Sequence, residues 1–446
     1  MEKTTKKLKP ARVVVLGFMA LIALGTLLLM LPVSVRDGVA PPSLITALFT
    51  ATSATCITGL TITDTAATFS LFGQIVILFL FQIGGLGFMT ATTLFFFIMN
   101  KKINLSQRLL IMQSFSLNDI QGVVRLIRHV LIGTFIIEGA GALILWQRFF
   151  PAYGFWRGLG LGVFHSVSAF CNAGFSLLGP DGLLAYANDA FLSITLMLLV
   201  VLGGLVFFVW EDVWKNRRFK SLHLHSKMVL SVTAILIVSG FLFIFIAERL
   251  GGATLSGMTL PQALLMSLFQ AITPRSAGFS MINQAQLSHA SIMMVMLLML
   301  IGGSAGSTGG GIKNVTAAIL FLSAIRSLRG KRGLSVFGRN VPEAQIISAL
   351  SILILVLGIC FGGATAIMLV QPELPFMAVL FEMVSAVATC GLSMGITGSL
   401  SATSLLIMIP AMFLGRVGVM TFGMAAFIRR SGGAEKTKRP DVWVMT

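Results

Sequence analysis

Charge is scarce in this sequence. Of its 446 residues only 11% are Asp, Glu, Lys or Arg, where an ordinary soluble domain carries about 25%. Long apolar runs recur through the whole length, and no stretch is polar enough to make a soluble domain with its own core. This excludes a water-soluble globular protein and indicates a polytopic membrane protein. Cysteine is also rare. The four present, Cys56, Cys171, Cys360 and Cys390, give no disulfide framework, and no close grouping of Cys and His has the spacing of a metal site. His223-Leu-His225 lies in a basic loop and reads as solvated. A cleavable leader is not indicated either. The start is basic to Arg12 and apolar from Val13 to about Pro32, long enough to span, and no A-x-A site closes it. A retained first helix is expected.

Acids are outnumbered, 15 to 32, for a net charge of +17. In a soluble chain that balance would suggest nucleic acid; here its placement decides otherwise. The tail to Arg12 holds five Lys/Arg, Lys101–Arg128 five, Lys215–Lys227 five, Lys313–Arg339 six and the tail from Arg429 five, together 26 of the 32. These segments alternate with nearly uncharged ones and so mark the cytoplasmic side, with both termini inside. A basic stripe against anionic headgroups is compatible with this, and no nucleic-acid partner is expected.

What is present in quantity is glycine, and one glycine-centred stretch occurs four times. Ser53–Thr61 reads Ser-Ala-Thr-Cys-Ile-Thr-Gly-Leu-Thr, Ser168–Ser176 Ser-Ala-Phe-Cys-Asn-Ala-Gly-Phe-Ser, Thr273–Ser280 Thr-Pro-Arg-Ser-Ala-Gly-Phe-Ser, and Ser385–Ser393 Ser-Ala-Val-Ala-Thr-Cys-Gly-Leu-Ser. The central Gly59, Gly174, Gly278 and Gly391 lie 115, 104 and 113 residues apart. Around each, a long apolar helix, a short apolar segment ending in the stretch, and a second long apolar helix are expected. The long first helices fall at Val13–Leu31, Val130–Phe149, Met228–Ala247 and Ile346–Val370. The short segments fall at Ser43–Cys56, Phe155–Cys171, Leu260–Thr273 and Leu374–Cys390. The second helices fall at Leu71–Met99, Ala190–Trp210, Ile292–Ile301 continuing as Val315–Leu322, and Leu405–Ile428. The short segments run to about 14–17 residues, too few for a bilayer that needs about 20, and are expected to enter the membrane and turn back. The fold class is therefore all-α integral membrane: four helix–pore loop–helix repeats in pseudo-fourfold arrangement around one pore. The divisions are 1–100 with the N-terminal tail, 101–215, 216–330, 331–430 and a tail at 431–446. Gly84-Gly85, Gly203-Gly204, Gly302-Gly303 and Gly415-Arg416 fall 24–29 residues after the central glycines and support the register. For Gly84, Gly85, Gly203 and Gly204 the expected role is close helix packing.

The chemistry that suits such a stretch is cation transfer. A cation leaving water needs replacement oxygens, and backbone carbonyls supply them without net charge. Aiming successive carbonyls one way takes the chain to φ > 0, which Gly reaches without steric cost. The preceding short helix turns its C-terminal end, roughly −0.5 of a charge, to the same place. The expected ion-binding residues are Ile57, Thr58 and Gly59; Asn172, Ala173 and Gly174; Ser276, Ala277 and Gly278; and Thr389, Cys390 and Gly391. No carboxylate occurs in the four stretches. A single Gly followed by Leu or Phe and a hydroxyl is an ordinary turn; the fourfold recurrence carries the reading.

Gly302, Gly303, Ser304, Ala305, Gly306, Ser307, Thr308, Gly309, Gly310 and Gly311 interrupt an apolar helix. Six of these ten are Gly, which at about 1 kcal/mol each makes a continuous helix unfavourable by roughly 6 kcal/mol. A break is expected. The run is not a phosphate loop, because Ile312 separates Gly311 from Lys313. It is either a close-packing stripe, with Gly302, Gly306 and Gly310 four apart, or a polar loop lining a cavity; the helix cost favours the loop. Arg416 lies near the middle of an apolar segment, where a charge costs about 2.5–3.5 kcal/mol, and is expected to act as a cation barrier or as an anchor of that loop. Glu138 is expected to be a buried structural partner. Arg275, within the third stretch, is expected to pair with a carboxylate such as Glu382.

The four stretches, with Thr-Gly-Leu-Thr, Ala-Gly-Phe-Ser, Ala-Gly-Phe-Ser and Cys-Gly-Leu-Ser at their centres, resemble those of the Trk/Ktr/HKT superfamily of potassium transporters. The resemblance runs from about Val13 to Arg430, and the length is most similar to the bacterial Ktr membrane subunits of KtrB type. It implies that the four loops form one K⁺-selective filter and that Gly59, where Na⁺ transporters have Ser, favours K⁺. It also implies that 302–311 gates the pore and that Arg416 matches an Arg below the filter. K⁺ would be bound at the filter carbonyls as the transported ion, with Na⁺ stimulation left open and no organic cofactor. The implied setting is the bacterial plasma membrane. The implied assembly is a homodimer on a cytosolic ring of nucleotide-binding RCK regulatory subunits (KtrA-like), with the C-terminal Val-Trp-Val-Met-Thr at the dimer interface. The third stretch departs from the pattern in Pro274-Arg275. Two alternatives stay open: a pore subunit driven by a separate ATPase, and an integral membrane enzyme, for which no convergent His, carboxylate or Cys groups are seen.

Overall fold

The computed structural model describes residues 10–87, 123–179, 182–304, 306–331 and 333–427. Four helices in it are long and apolar enough to cross a membrane: Arg12–Leu29, Arg128–Tyr153, Leu224–Gly251 and Glu343–Val370. They coincide with the four expected first helices. Each is followed by a shorter apolar helix: Leu44–Thr55, Phe155–Phe170, Leu260–Ile272 and Phe376–Val387. Their starts follow local chemistry. Ser43 Oγ accepts from the Thr46 amide, Pro261 occupies the first turn of the third behind a Thr259–Gln262 capping box, and Pro375 precedes the fourth. Pro is pre-organised for such positions. Their ends are buried. In Leu44–Thr55 every residue from Phe49 onward is covered, and Ser385, Ala386 and Val387 at the end of the fourth are fully covered.

The second helices depart from expectation. The sequence predicts a break only in the third repeat; the structure has one in the second and fourth as well, and in the first the helix stops at Gly87. Leu71–Leu86 ends at Gly87 with φ +84, and the rest of the expected helix to Met99 lies outside the described residues. Ala190–Gly204 stops at Leu205 and resumes as Phe207–Asn216, the pair bent by 96°. His289–Leu300 gives way to the glycine run, after which Asn314–Leu328 follows. Ala402–Val417 stops at Gly418 with φ +88 and resumes as Val419–Phe427. A single Gly in a left-handed conformation ends a helix at little cost, so Gly418 does what the third repeat does with six glycines, and Gly87 ends its helix in the same conformation.

The cause of close packing is visible above these breaks. A methyl carbon on Gly84 would fall 2.0 Å from the Thr55 carbonyl oxygen, one on Gly203 1.8 Å from that of Phe170, and one on Gly415 2.0 Å from that of Val387. Each of these carbonyls belongs to the last residue of a short helix, four before its central glycine. Only a residue without Cβ lets the second helix lie over that end. The basic segment after Asn314–Leu328 holds a feature the all-α expectation omits: a two-stranded hairpin, Leu334–Val336 with Arg339–Val341. Its turn, Phe337-Gly338, has φ of +48 and +77, the conformation that suits two-residue hairpins. His223 is also more than solvated: its Nδ1 lies 2.8 Å from Asp212 Oδ1 and ties Phe207–Asn216 to the start of Leu224–Gly251.

Candidate ion pathway

The backbone after each short helix repeats one conformation. The amide just before the central glycine donates back to a Ser or Thr carbonyl: Thr58 to Ser53 at 2.7 Å, Ala173 to Ser168 at 2.8 Å, Ala277 to Thr273 at 2.9 Å and Cys390 to Ser385 at 2.9 Å. Two residues have positive φ in each copy. The central glycines have φ of +83, +73, +71 and +94, and the residues two before them, Ile57, Asn172, Ser276 and Thr389, have +52, +57, +70 and +46. Asn visits this region readily, whereas a β-branched Ile or Thr does so only under constraint. Four loops held alike, two of them by strained β-branched residues, point to a backbone arrangement that packing enforces.

The loops meet in sequence order. A methyl carbon on Gly59 would lie 2.5 Å from the Ala173 carbonyl oxygen, on Gly174 3.0 Å from that of Ala277, on Gly278 2.3 Å from that of Cys390, and on Gly391 2.3 Å from that of Thr58. Each glycine thus faces the next loop, and the fourth returns to the first. The expected residues Ile57, Thr58, Asn172, Ala173, Ser276, Ala277, Thr389 and Cys390 are all buried around this ring. The side-chain oxygens Thr58 Oγ1, Thr389 Oγ1 and Asn172 Oδ1 are buried there without a hydrogen-bond partner in the protein. Buried oxygen that the protein does not satisfy fits a site for water or a cation. No grouping of three or more His, Cys, Asp or Glu that could hold a metal occurs among the described residues.

The glycine run lies against this ring on the side of the second-helix breaks. Ile312 N donates to Leu300 O at 3.0 Å and Gly302 N to Ile312 O at 2.9 Å, closing the run at its base. Gly310 N donates to Ser276 Oγ at 3.2 Å. Asn172 Nδ2 donates to Thr308 Oγ1 at 2.8 Å, and Thr308 Oγ1 to Gly203 O at 2.9 Å. A methyl carbon on Gly310 would collide with Thr389 Oγ1. Three of the four residues two before a ring glycine therefore touch the run. Of its ten expected residues Ala305 lies outside the described ones. Arg416 completes the closure: its guanidinium donates to the carbonyls of Thr308, Gly84 and Gly85. Lys313, which the sequence reading passed over, donates from Nζ to Gly309 O at 2.6 Å.

One expected contact is absent. Arg275 does not pair with Glu382. Its Nη2 donates to Thr233 Oγ1 at 3.2 Å, while Glu382 accepts from Ser393, Thr397 and the Met394 amide. Arg275 stands before the ring glycine of the third loop, while Glu382, on the helix Phe376–Val387, meets residues that follow the fourth. No carboxylate pairs with Arg275 among the described residues. Glu138 is a buried partner as expected, taking Gln82 Nε2 at 3.0 Å, with the Cys171 thiol 3.7 Å away.

Residues 9–434 match the family described as TrkH, cation transport protein. The chain belongs to the TrkH cation transport family. Its relatives are transporters rather than enzymes. It is 39% identical to the potassium/sodium uptake protein NtpJ of Enterococcus hirae, over 100% of this chain and 98% of that protein. It is 41% identical to the Ktr system potassium uptake protein B of Bacillus subtilis, over 93% of this chain and 92% of that one. Among solved structures it resembles the potassium transporter TrkH of Vibrio parahaemolyticus, with a TM-score of 0.77 at 16% identity, over 95% of this chain and 86% of that one. That likeness establishes the fold, which is mostly helical.

Proposed function

We propose that this TrkH-family chain is a K⁺-selective, channel-like uptake pore and the membrane subunit of a Ktr-type system. The observation that carries the reading is the closed ring of glycine-centred loops. Each of its members has two left-handed residues, and four short helices present their C-terminal ends to it. Carbonyls so aimed replace the hydration of a monovalent cation, and the helix ends favour a cation over an anion. K⁺ is the cargo, taken up by the carbonyls from Ile57 to Gly59, Asn172 to Gly174, Ser276 to Gly278 and Thr389 to Gly391. Residues 302–311 are the gate. In the present conformation they lie across the inner side of the ring, held by Arg416. An inside-negative potential drives entry by about 2.3 kcal/mol per 100 mV.

The relatives support the assembly part of the proposal. Three are named as components of Ktr systems, so a cytosolic partner is expected, a ring of nucleotide-binding RCK subunits beneath a homodimer. The basic segments Lys215–Lys227 and Lys313–Arg339 face it, with both termini cytoplasmic. The Enterococcus relative is named for both potassium and sodium, so Na⁺ stimulation belongs in the same reading. The test is ion flux into proteoliposomes, with K⁺ and Na⁺ outside, with and without added partner subunits. The proposal expects K⁺-preferring uptake. Equal K⁺ and Na⁺ uptake would refute the filter, and no uptake with the partner present would refute the pore.

A further inference from the structure

The four short helices carry, at one equivalent position, a buried polar side chain whose purpose the pore reading leaves unexplained. Counting three residues back from the Ser or Thr that accepts the loop amide gives Thr50, His165, Gln270 and Glu382. All four are buried, the last three fully. Fully burying an acid, an imidazole and an amide in an apolar setting is unfavourable unless each is satisfied; His165 and Glu382 are satisfied in the same way, and Gln270 through a relay. His165 Nε2 lies 3.1 Å from Ser176 Oγ and accepts from the Leu177 amide at 3.3 Å, while Nδ1 sits 2.8 Å from Leu161 O. An Nε2 that accepts an N–H leaves the proton on Nδ1, so the ring is neutral. Glu382 accepts from Ser393 Oγ, from the Met394 amide at 3.2 Å and from Thr397 Oγ1 at 2.9 Å. Gln270 forms a reciprocal amide pair with Gln284, at 2.6 and 3.1 Å, and Gln284 Nε2 reaches Ser280 Oγ at 2.9 Å.

Ser176, Ser280 and Ser393 are equivalent: each stands two residues after a ring glycine. Leu177 and Met394 stand three after. The Gly-[Leu/Phe]-[Ser/Thr] pattern thus has a physical reason for its third member. The hydroxyl is the handle by which the outgoing strand is tied back to its own short helix. The residue between, Leu60, Phe175, Phe279 or Leu392, is buried and wedges the strand from the other side.

We infer that His165, Gln270 and Glu382 are positioning residues that hold the outer half of the ring and so set its discrimination between K⁺ and Na⁺. This rests on the reading of the ring as the ion filter. Three chemistries serve because the task needs only a buried polar group bonded to the hydroxyl, directly at His165 and Glu382 or, at Gln270, through Gln284, whose Nε2 donates to Ser280. In the first repeat the position is Thr50 and the hydroxyl residue is Thr61.

The test is the ion preference of the full-length chain in two forms. One is the K⁺/Na⁺ flux ratio in proteoliposomes. The other is the thermal stabilisation of the purified chain by K⁺ relative to Na⁺, which reports binding and needs no open gate. Glu382→Ala and His165→Ala are each expected to lower the preference about tenfold, since each removes a hydrogen-bonded acceptor from the buried strand. Glu382→Gln keeps an acceptor oxygen for Ser393 and should retain most of the preference. Ser176→Ala and Ser393→Ala delete the other end of the same bonds with no change of charge. They decide the matter if the Glu382 or His165 variants fail to fold, and should lower the preference in the same direction. A role in stability alone would lower melting temperature or yield and leave the ratio of ions unmoved; that result would overturn the inference. Gly59→Ser, run alongside, separates the two levels. If it abolishes the preference while the anchor variants keep it, only this inference fails. If neither it nor the anchor variants change the preference, the filter reading fails with it.

Discussion

At the scale of single residues, the ring glycines are not equivalent, and their differences are measurable. A methyl carbon at Gly278 or Gly391 would come within 2.3 Å of a neighbouring carbonyl oxygen, whereas at Gly174 the distance is 3.0 Å. Gly174→Ala should therefore be the mildest ring substitution, and Gly278→Ala and Gly391→Ala should each lose more K⁺ preference. Equal effects at all three would show that the backbone conformation, not the close approach, sets the requirement. Arg416 makes a second residue-scale prediction. Its guanidinium holds Thr308 to Gly84 and Gly85. Arg416→Gln should raise resting K⁺ flux several-fold, given about 1.5–3 kcal/mol for hydrogen bonds to a charged group. Unchanged flux would remove Arg416 from the gate.

The sequence made some of these residues legible and hid others. The central glycines stand out because four copies share a spacing. Ile57 and Thr389 are expected in the ring, but their positive φ is not legible, because nothing in a β-branched residue signals it; only the tertiary packing of four loops imposes it. The expected Arg275–Glu382 pair failed for a related reason. Charge complementarity in a sequence says nothing of direction, and Glu382 had nearer donors on the outgoing strand. His165 and Gln270 read as ordinary polar residues until the loops are superposed by their shared hydrogen bond.

At the scale of elements, the short helices and the glycine run were predictable, the first from length against bilayer thickness and the second from the cost of six glycines in a helix. The helix end at Gly87 and the break at Gly418 were not, since one glycine in an apolar run is compatible with a continuous helix at a cost of about 1 kcal/mol. Two predictions follow at this scale. Gly203→Ala places a methyl carbon 1.8 Å from the Phe170 carbonyl and should destabilise the chain by about 1–3 kcal/mol through overpacking, seen as a lower melting temperature in detergent. An unchanged melting temperature would mean that the second helix is free to move away. Gly310→Ala should push the run from Thr389 and raise resting flux while leaving the K⁺/Na⁺ ratio as it is. A changed ratio would mean that the run is part of the filter and not a gate.

At the scale of the whole molecule, four spanning helices surround four short ones, and the glycine-centred ends of the short ones close in chain order, the fourth upon the first. Such closure is a property of the fold that no local pattern reveals, although the fourfold recurrence required some common axis. The basic segments Lys215–Lys227 and Lys313–Arg339 come after the second-helix breaks in the chain, so in the proposed function the gate and the docking face share one side of the membrane. Under that proposal a cytosolic partner would act on the run through Asn314–Leu328, the helix that emerges from it.

The central claim is that the glycine ring selects K⁺. It is tested most directly by measuring K⁺ and Na⁺ uptake by the full chain and by Gly59→Ser in proteoliposomes containing the partner subunits. Gly59 has φ +83, and a methyl carbon there would lie 2.5 Å from the Ala173 carbonyl oxygen. A Ser must therefore displace the neighbouring loop. The account predicts K⁺-preferring uptake by the native chain and loss of that preference, with flux retained, in the variant. A variant that keeps the native K⁺/Na⁺ ratio would contradict it.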